Sequence, residues 1–255
     1  MTQQDAAQPL FDHLGELRQR LLKSLIAFVP FLVACWLFKE HLLELAIRPL
    51  GQAWHALGLG TPALHFASPV APVVSYLQVC AVSALVLSAP WVFWQLWAFV
   101  APGLYTREKR LALPFVLLST LCFSGGVFFA YQVVFPLTFE TLLSFGGMLP
   151  SQQASLEPTL MIDTYLSFVL RMLLAFGVVF EIPVVVMFIA ALDWVQWQTL
   201  LRFGRWWVLI AAVLAALLTP PDVGSQLIML GPLIVLYFVS VLGAYLIQRS
   251  RRKAT

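Results

Sequence analysis

Six apolar runs, at 21–38, 73–100, 111–137, 164–192, 206–218 and 227–247, fill most of the chain and are separated by short polar joints. A hydrocarbon core about 30 Å thick takes about 20 helical residues to cross, and five of the runs are long enough. The fifth, Trp206 to Leu218, is short and fits only with snorkelling flanks or a locally thin bilayer. With 61% hydrophobic and 11% charged residues, the chain has too little polar surface for a soluble domain. Inside lipid each backbone polar group needs a partner within its own segment, so runs of this length are helices. The reading is an all-α membrane protein of six transmembrane helices, one domain over 1–255.

The cations set the orientation. Twelve of the fifteen Lys and Arg fall on one side of the spans. They are Arg18, Arg20 and Lys23 before run one, Arg107, Lys109 and Arg110 between two and three, Arg202 and Arg205 between four and five, and Arg249, Arg251, Arg252 and Lys253 after six. Positive loops stay inside, so both termini are expected in the cytoplasm. The net charge of +3 follows from topology and gives no reason to expect nucleic acid. The residues before run one are mostly polar, so that run reads as a retained signal anchor.

Residues 1–20 are expected to form a cytoplasmic amphipathic helix, with Leu10, Leu14, Leu17 and Leu21 on one face. The first outer segment, about 39–72, is amphipathic over Leu42 to Leu50 and reads as a cap on the outer side. The turn Thr219 to Asp222 is so short that spans five and six must form an antiparallel hairpin. A basic tail, 248–255, closes the chain. Pro90, Pro114, Gly125, Gly126, Pro183 and Pro232 interrupt the spans. Intramembrane prolines remove helical hydrogen bonds and favour kinks, so the expected bundle is kinked and concave.

The inventory of reactive groups argues against an enzyme. His13, His41, His55 and His65 all lie outside the runs, and no HExxH, GxSxG or phosphate-loop pattern occurs. Cys35, Cys80 and Cys122 lie within apolar runs without ligand-like spacing and read as small buried hydrophobes, so neither metal nor cofactor is expected. Charged residues in apolar surroundings are more informative. Glu181, in Phe-Glu-Ile-Pro, is deep in run four, where a carboxyl must face water or a polar partner, or carry its proton. Arg171, ten residues earlier, is about 15 Å away along a helix and snorkels more readily than it pairs. Glu16 and Glu108 sit among cations on the cytoplasmic side. By residue chemistry alone they are local ion pairs, such as Glu16 with Arg20 at i,i+4.

A set of ordered blocks adds to this reading. They are Phe-Asp-His-Leu-Gly-Glu-Leu-Arg-Gln-Arg-Leu-Leu at 11–22, Phe66 to Pro69, Leu87 to Pro90, Gln95 to Tyr105 and Arg107 to Arg110. Further along come Val134 to Pro136, Tyr165 to Phe168, Phe176 to Pro183 and Leu218 to Val223. In these blocks the chain resembles the TatC family, core receptor subunits of the twin-arginine protein translocase. The resemblance implies a glove-like fold without catalysis or cofactor, in a bacterial inner membrane. It implies that Glu16 and Glu108 bind the paired arginines of signal peptides on folded cargo, with Phe99 and Arg110 close by. It places Glu181 on the concave surface and partner contacts along spans five and six at Asp222 and Gln226. The implied partners are TatA- and TatB-type single-span subunits and further copies of the chain, with export driven by the proton gradient. The rival reading is a proton-coupled small-molecule carrier using Glu181 and Arg171. The lack of an internal repeat counts against it.

Overall fold

A computed structural model of the chain describes the backbone of residues 3–60, 62–100, 112–148, 155–156, 158–219 and 223–252. The helices among them are α1 (Gln3–Leu37), α2 (Lys39–Ala56), α3 (Ala71–Val100), α4 (Ala112–Phe129), α5 (Phe135–Leu143), α6 (Ile162–Val179), α7 (Ile182–Ala191), α8 (Trp197–Leu218) and α9 (Val223–Arg252). Six stretches are long and apolar enough to cross a membrane: Gly15–Leu37, Ala71–Val100, Leu113–Leu143, Ile162–Ala191, Trp197–Leu218 and Val223–Arg249. The all-α, six-span architecture expected from the runs is the one the chain adopts.

The helix ends depart from the apolar runs in three places. The N-terminal amphipathic helix and the first span are one helix, α1, because nothing between Leu17 and Leu25 breaks helical propensity. The fifth span is not short: α8 begins at Trp197 and takes in Arg202 and Arg205. Hydropathy ends at a charge, whereas backbone hydrogen bonding continues through it, and long cationic side chains reach out to the interface. The expected tail is also partly structural. α9 runs to Arg252, and Gln248 is buried.

Prolines act differently from one position to the next. α3 and α9 continue through Pro90 and Pro232. Span four does break, at Phe180 and Glu181 just before Pro183, and separates into α6 and α7. Span three holds a π turn over Ala130–Val134, directly ahead of Pro136. Pro136 offers no N–H, so the turn before it rewinds to wider hydrogen bonds. Pro49 inside α2 likewise leaves the Leu45 carbonyl without its helical donor, and the Tyr131 hydroxyl supplies one at 3.0 Å. Tyr165 donates to the next carbonyl, of Ala46, at 2.8 Å. Two tyrosines from spans three and four thus pin α2 to the bundle.

α1 packs on α3, α3 on α4 and α6, and both α7 and α8 on α9. The largest core cluster joins α2, the π turn and α5 to α6, α8 and α9, through Leu50, Val134, Phe135, Leu166, Phe176 and Leu233. Two short strand pairs lie in the segments between spans. β1 (Leu64–His65) pairs in parallel with β4 (Leu160–Met161), tying the segment between spans one and two to that between spans three and four. β2 (Gly147–Met148) pairs antiparallel with β3 (Ser155–Leu156).

Candidate functional site

Glu16 is on the fourth turn of α1, and α1 lies along α3. At i,i+4 on the same helix, Arg20 donates to Glu16 Oε1 through Nε at 3.0 Å and Nη2 at 2.7 Å. Its third nitrogen, Nη1, reaches Oε1 of Gln95 on α3 at 3.5 Å. Gln95 is buried, while Glu16 and Arg20 are half-buried. One guanidinium therefore joins a carboxylate on α1 to an amide 75 residues beyond Arg20, at the end of α3 that carries Phe99. Phe99 follows Gln95 by one helical turn. Glu108 and Arg110 lie outside the described residues, as does Asp222.

Glu181 forms a second polar locus. It stands at the break in span four, at the N-terminal end of α7, where Val185 donates to its carbonyl at 3.0 Å. The exposed N–H groups of a helix start favour negative charge. Ser119 and the backbone of Phe123, both on α4, face its carboxyl. Ser119 in turn accepts a 3.1 Å hydrogen bond from Trp97 Nε1 on α3. Oε1 of Glu181 is buried and has no hydrogen-bond partner among the described residues. Around the three groups Trp97 stacks on Phe115 with centroids 5.1 Å apart and meets the edge of Phe188 at 4.6 Å. An unsatisfied carboxyl oxygen in such a setting is costly.

Arg171 is not part of this locus. It is exposed, and its Nε bonds back to the Ser167 carbonyl at 3.0 Å. Arg171 and Glu181 stay apart, as their ten-residue spacing along the helix implies. Gln226, on α9, donates to the Ala212 carbonyl of α8 at 3.4 Å and so ties the two arms of the last hairpin.

Sequence reasoning passed over three residues that do connective work. Gln95 and Trp97 both fall within the block from Gln95 to Tyr105, where a buried amide in an apolar helix was the available signal. Gln248 falls in the stretch expected as the basic tail. It accepts from the Trp197 backbone at 3.1 Å and donates to Val195 at 2.8 Å, clamping the turn between spans four and five.

Comparison with known proteins agrees with this geometry. The family model for "Sec-independent protein translocase protein (TatC)" matches residues 12–232. The translocase protein TatC of Desulforapulum autotrophicum is 38% identical over 96% of this chain and 87% of its own length. That of Campylobacter jejuni is 36% identical over 92% and 93%. The crystal structure of a twin-arginine translocase receptor, TatC, superposes with a TM-score of 0.77 at 32% identity, covering 92% of this chain and 99% of that one. A match of sequence and fold over most of the chain leaves one conclusion: this chain belongs to the TatC family and is a multi-pass, non-enzymatic component of the Sec-independent protein translocase.

Proposed function

We propose that the chain is the receptor and assembly subunit of that translocase. Signal peptides with paired arginines bind on its cytoplasmic face at Glu16 and Glu108, with Phe99 and Arg110 alongside. Both termini lie in the cytoplasm of a bacterial cell, and the spans cross its inner membrane. The observation that carries this reading is the Glu16 carboxylate already holding a guanidinium, that of Arg20. A signal arginine takes the place of Arg20 on that carboxylate.

The exchange is cheap. An i,i+4 ion pair that is partly open to solvent contributes only a few tenths of a kcal/mol. Arg20 holds the carboxylate through two donors, and an incoming guanidinium offers the same paired fork. Lysine has no fork and competes poorly with Arg20, so the resident arginine sharpens selection against lysine. Along α8, Trp206, Leu209, Val213 and Leu217 form an exposed apolar stripe. It supports partner contacts along spans five and six, where Asp222 and Gln226 stand, by TatA- and TatB-type subunits in a multi-copy complex. Glu181, on the concave side, hydrates or thins the membrane where cargo crosses, with the proton gradient as the energy source.

Photocrosslinking of an Arg-Arg signal peptide and its Lys-Lys counterpart to this protein in membranes tests the reading. Crosslinks are expected with Arg-Arg only, and they should fade in both Glu16→Ala and Glu108→Ala. Arg20→Gln should raise crosslinking at limiting peptide and admit more of the Lys-Lys form. Equal crosslinking of both peptides, untouched by any of these changes, would reduce the glutamates to ordinary surface ion pairs.

A further inference from the structure

A groove of about 540 Å³ opens between α2, α3, span three and α6, apart from both loci described above. Its walls are apolar, including Leu42, Val79, Val82, Val127, Phe128 and Leu173. Arg48 and Gln52, one turn apart on α2, and Gln132 on the π turn make its rim, and all three are exposed. Ser83, Ser124 and Tyr131 are its other polar lining residues. The π turn matters here because it presents both Tyr131 and Gln132 to the groove. Such turns inside α-helices recur at functional sites.

Arg48 makes no hydrogen bond or ion pair among the described residues. Glu44, one turn earlier, does not pair with it, although both line a shallow neighbouring hollow. An arginine at the mouth of an apolar groove presents a planar set of donors suited to a phosphate. The groove's depth fits what hangs from such a phosphate in a membrane. From Gln132 to Ser124 is eight residues, and so is Val79 to Leu87 on the facing helix. Each is about 12 Å at helical rise, close to the thickness of one leaflet's hydrocarbon, about 15 Å. The volume is within the range of specific ligand sites.

We infer that this groove is a binding site for one phospholipid with an anionic headgroup, its phosphate on Arg48, Gln52 and Gln132 and one acyl chain along the apolar walls. The orientation proposed above makes it a lipid of the outer leaflet. Bound there, the lipid fills the space between α2 and spans two to four, and steadies the outer cap that Tyr131 and Tyr165 anchor. Arg48 disfavours the ammonium that a zwitterionic headgroup carries beside its phosphate, which separates this ligand from a neutral lipid, and the apolar walls separate it from free phosphate.

The test is native mass spectrometry of the intact protein in detergent, titrated with phosphatidylglycerol, with phosphatidylcholine and with inorganic phosphate. Wild type should retain phosphatidylglycerol in preference to phosphatidylcholine and should not bind inorganic phosphate. Arg48→Gln should lower phosphatidylglycerol retention by roughly tenfold. Val127→Trp, which fills the groove, should lower retention of both lipids. Thermal unfolding of each lipid-free variant should match wild type, which separates loss of the site from loss of the fold. Retention unchanged in both folded variants overturns the site. So does photocrosslinking from Val127 in native membranes that captures a partner's transmembrane helix and no extractable lipid.

Discussion

At the scale of single residues, the most demanding position is Glu181. Its carboxyl lies between the N-terminal end of α7 and Ser119 of α4, and one of its oxygens is buried without a partner among the described residues. Such an oxygen calls for water or for a polar visitor. If Glu181 hydrates the membrane at the cargo path, Glu181→Ala should leave signal-peptide crosslinking at the wild-type level. Transport of a folded reporter into inverted vesicles should then fall at least about tenfold. Loss of crosslinking in that variant would abolish the division of labour between Glu16 and Glu181. Substitution by Gln should keep part of the activity, because an amide also attracts water.

At the scale of elements, helix contact is set by the smallest side chains. Two adjacent glycines on α4 make the point. A Cβ on Gly126 would stand 2.5 Å from the Phe176 carbonyl and 2.8 Å from the Phe180 ring, whereas one on Gly125 meets nothing within 4 Å. Across the same contact, a Cβ on Gly177 would run into the Phe123 ring. Small residues let membrane helices approach closely enough for dispersion to hold them. Gly126→Ala should therefore destabilise the protein by about 1–3 kcal/mol, the cost of overpacking. Gly125→Ala should be neutral, or stabilising by up to about 1 kcal/mol through helix propensity. Thermal unfolding in detergent checks the pair, and equal effects would mean that α4 and α6 are less closely packed than described. In sequence the two residues are indistinguishable.

At the scale of the whole molecule, the proposal that both termini are cytoplasmic divides the joints into two sets. His65, exposed on β1, belongs to the outer set; Arg205, exposed on α8, belongs to the inner one. In a background with Cys35, Cys80 and Cys122 replaced, a membrane-impermeant maleimide should label His65→Cys in intact spheroplasts. It should label Arg205→Cys only after the membrane is opened, and the reverse pattern would invert the topology. With that inversion the signal-peptide site proposed at Glu16 would face the wrong compartment.

The sequence by itself determined the number of spans, their helical nature and the sidedness of the cations, because these depend on apolar length, backbone satisfaction and the placing of charge along the chain. It also made the family legible, since the blocks around Glu16, Gln95 and Glu181 survive as local strings. What only the tertiary structure decided is which faces meet. In a soluble protein an apolar stripe marks the packed side, but a transmembrane helix is apolar toward lipid and toward its neighbours alike, so periodicity carries little contact information. That is why Arg20 reaching Gln95, Tyr131 serving the carbonyl that Pro49 orphaned, and Gly126 differing from Gly125 had to come from the fold. Hydropathy also misplaced the ends of α8 and α9, because charged residues end an apolar run but leave the helical hydrogen bonds intact.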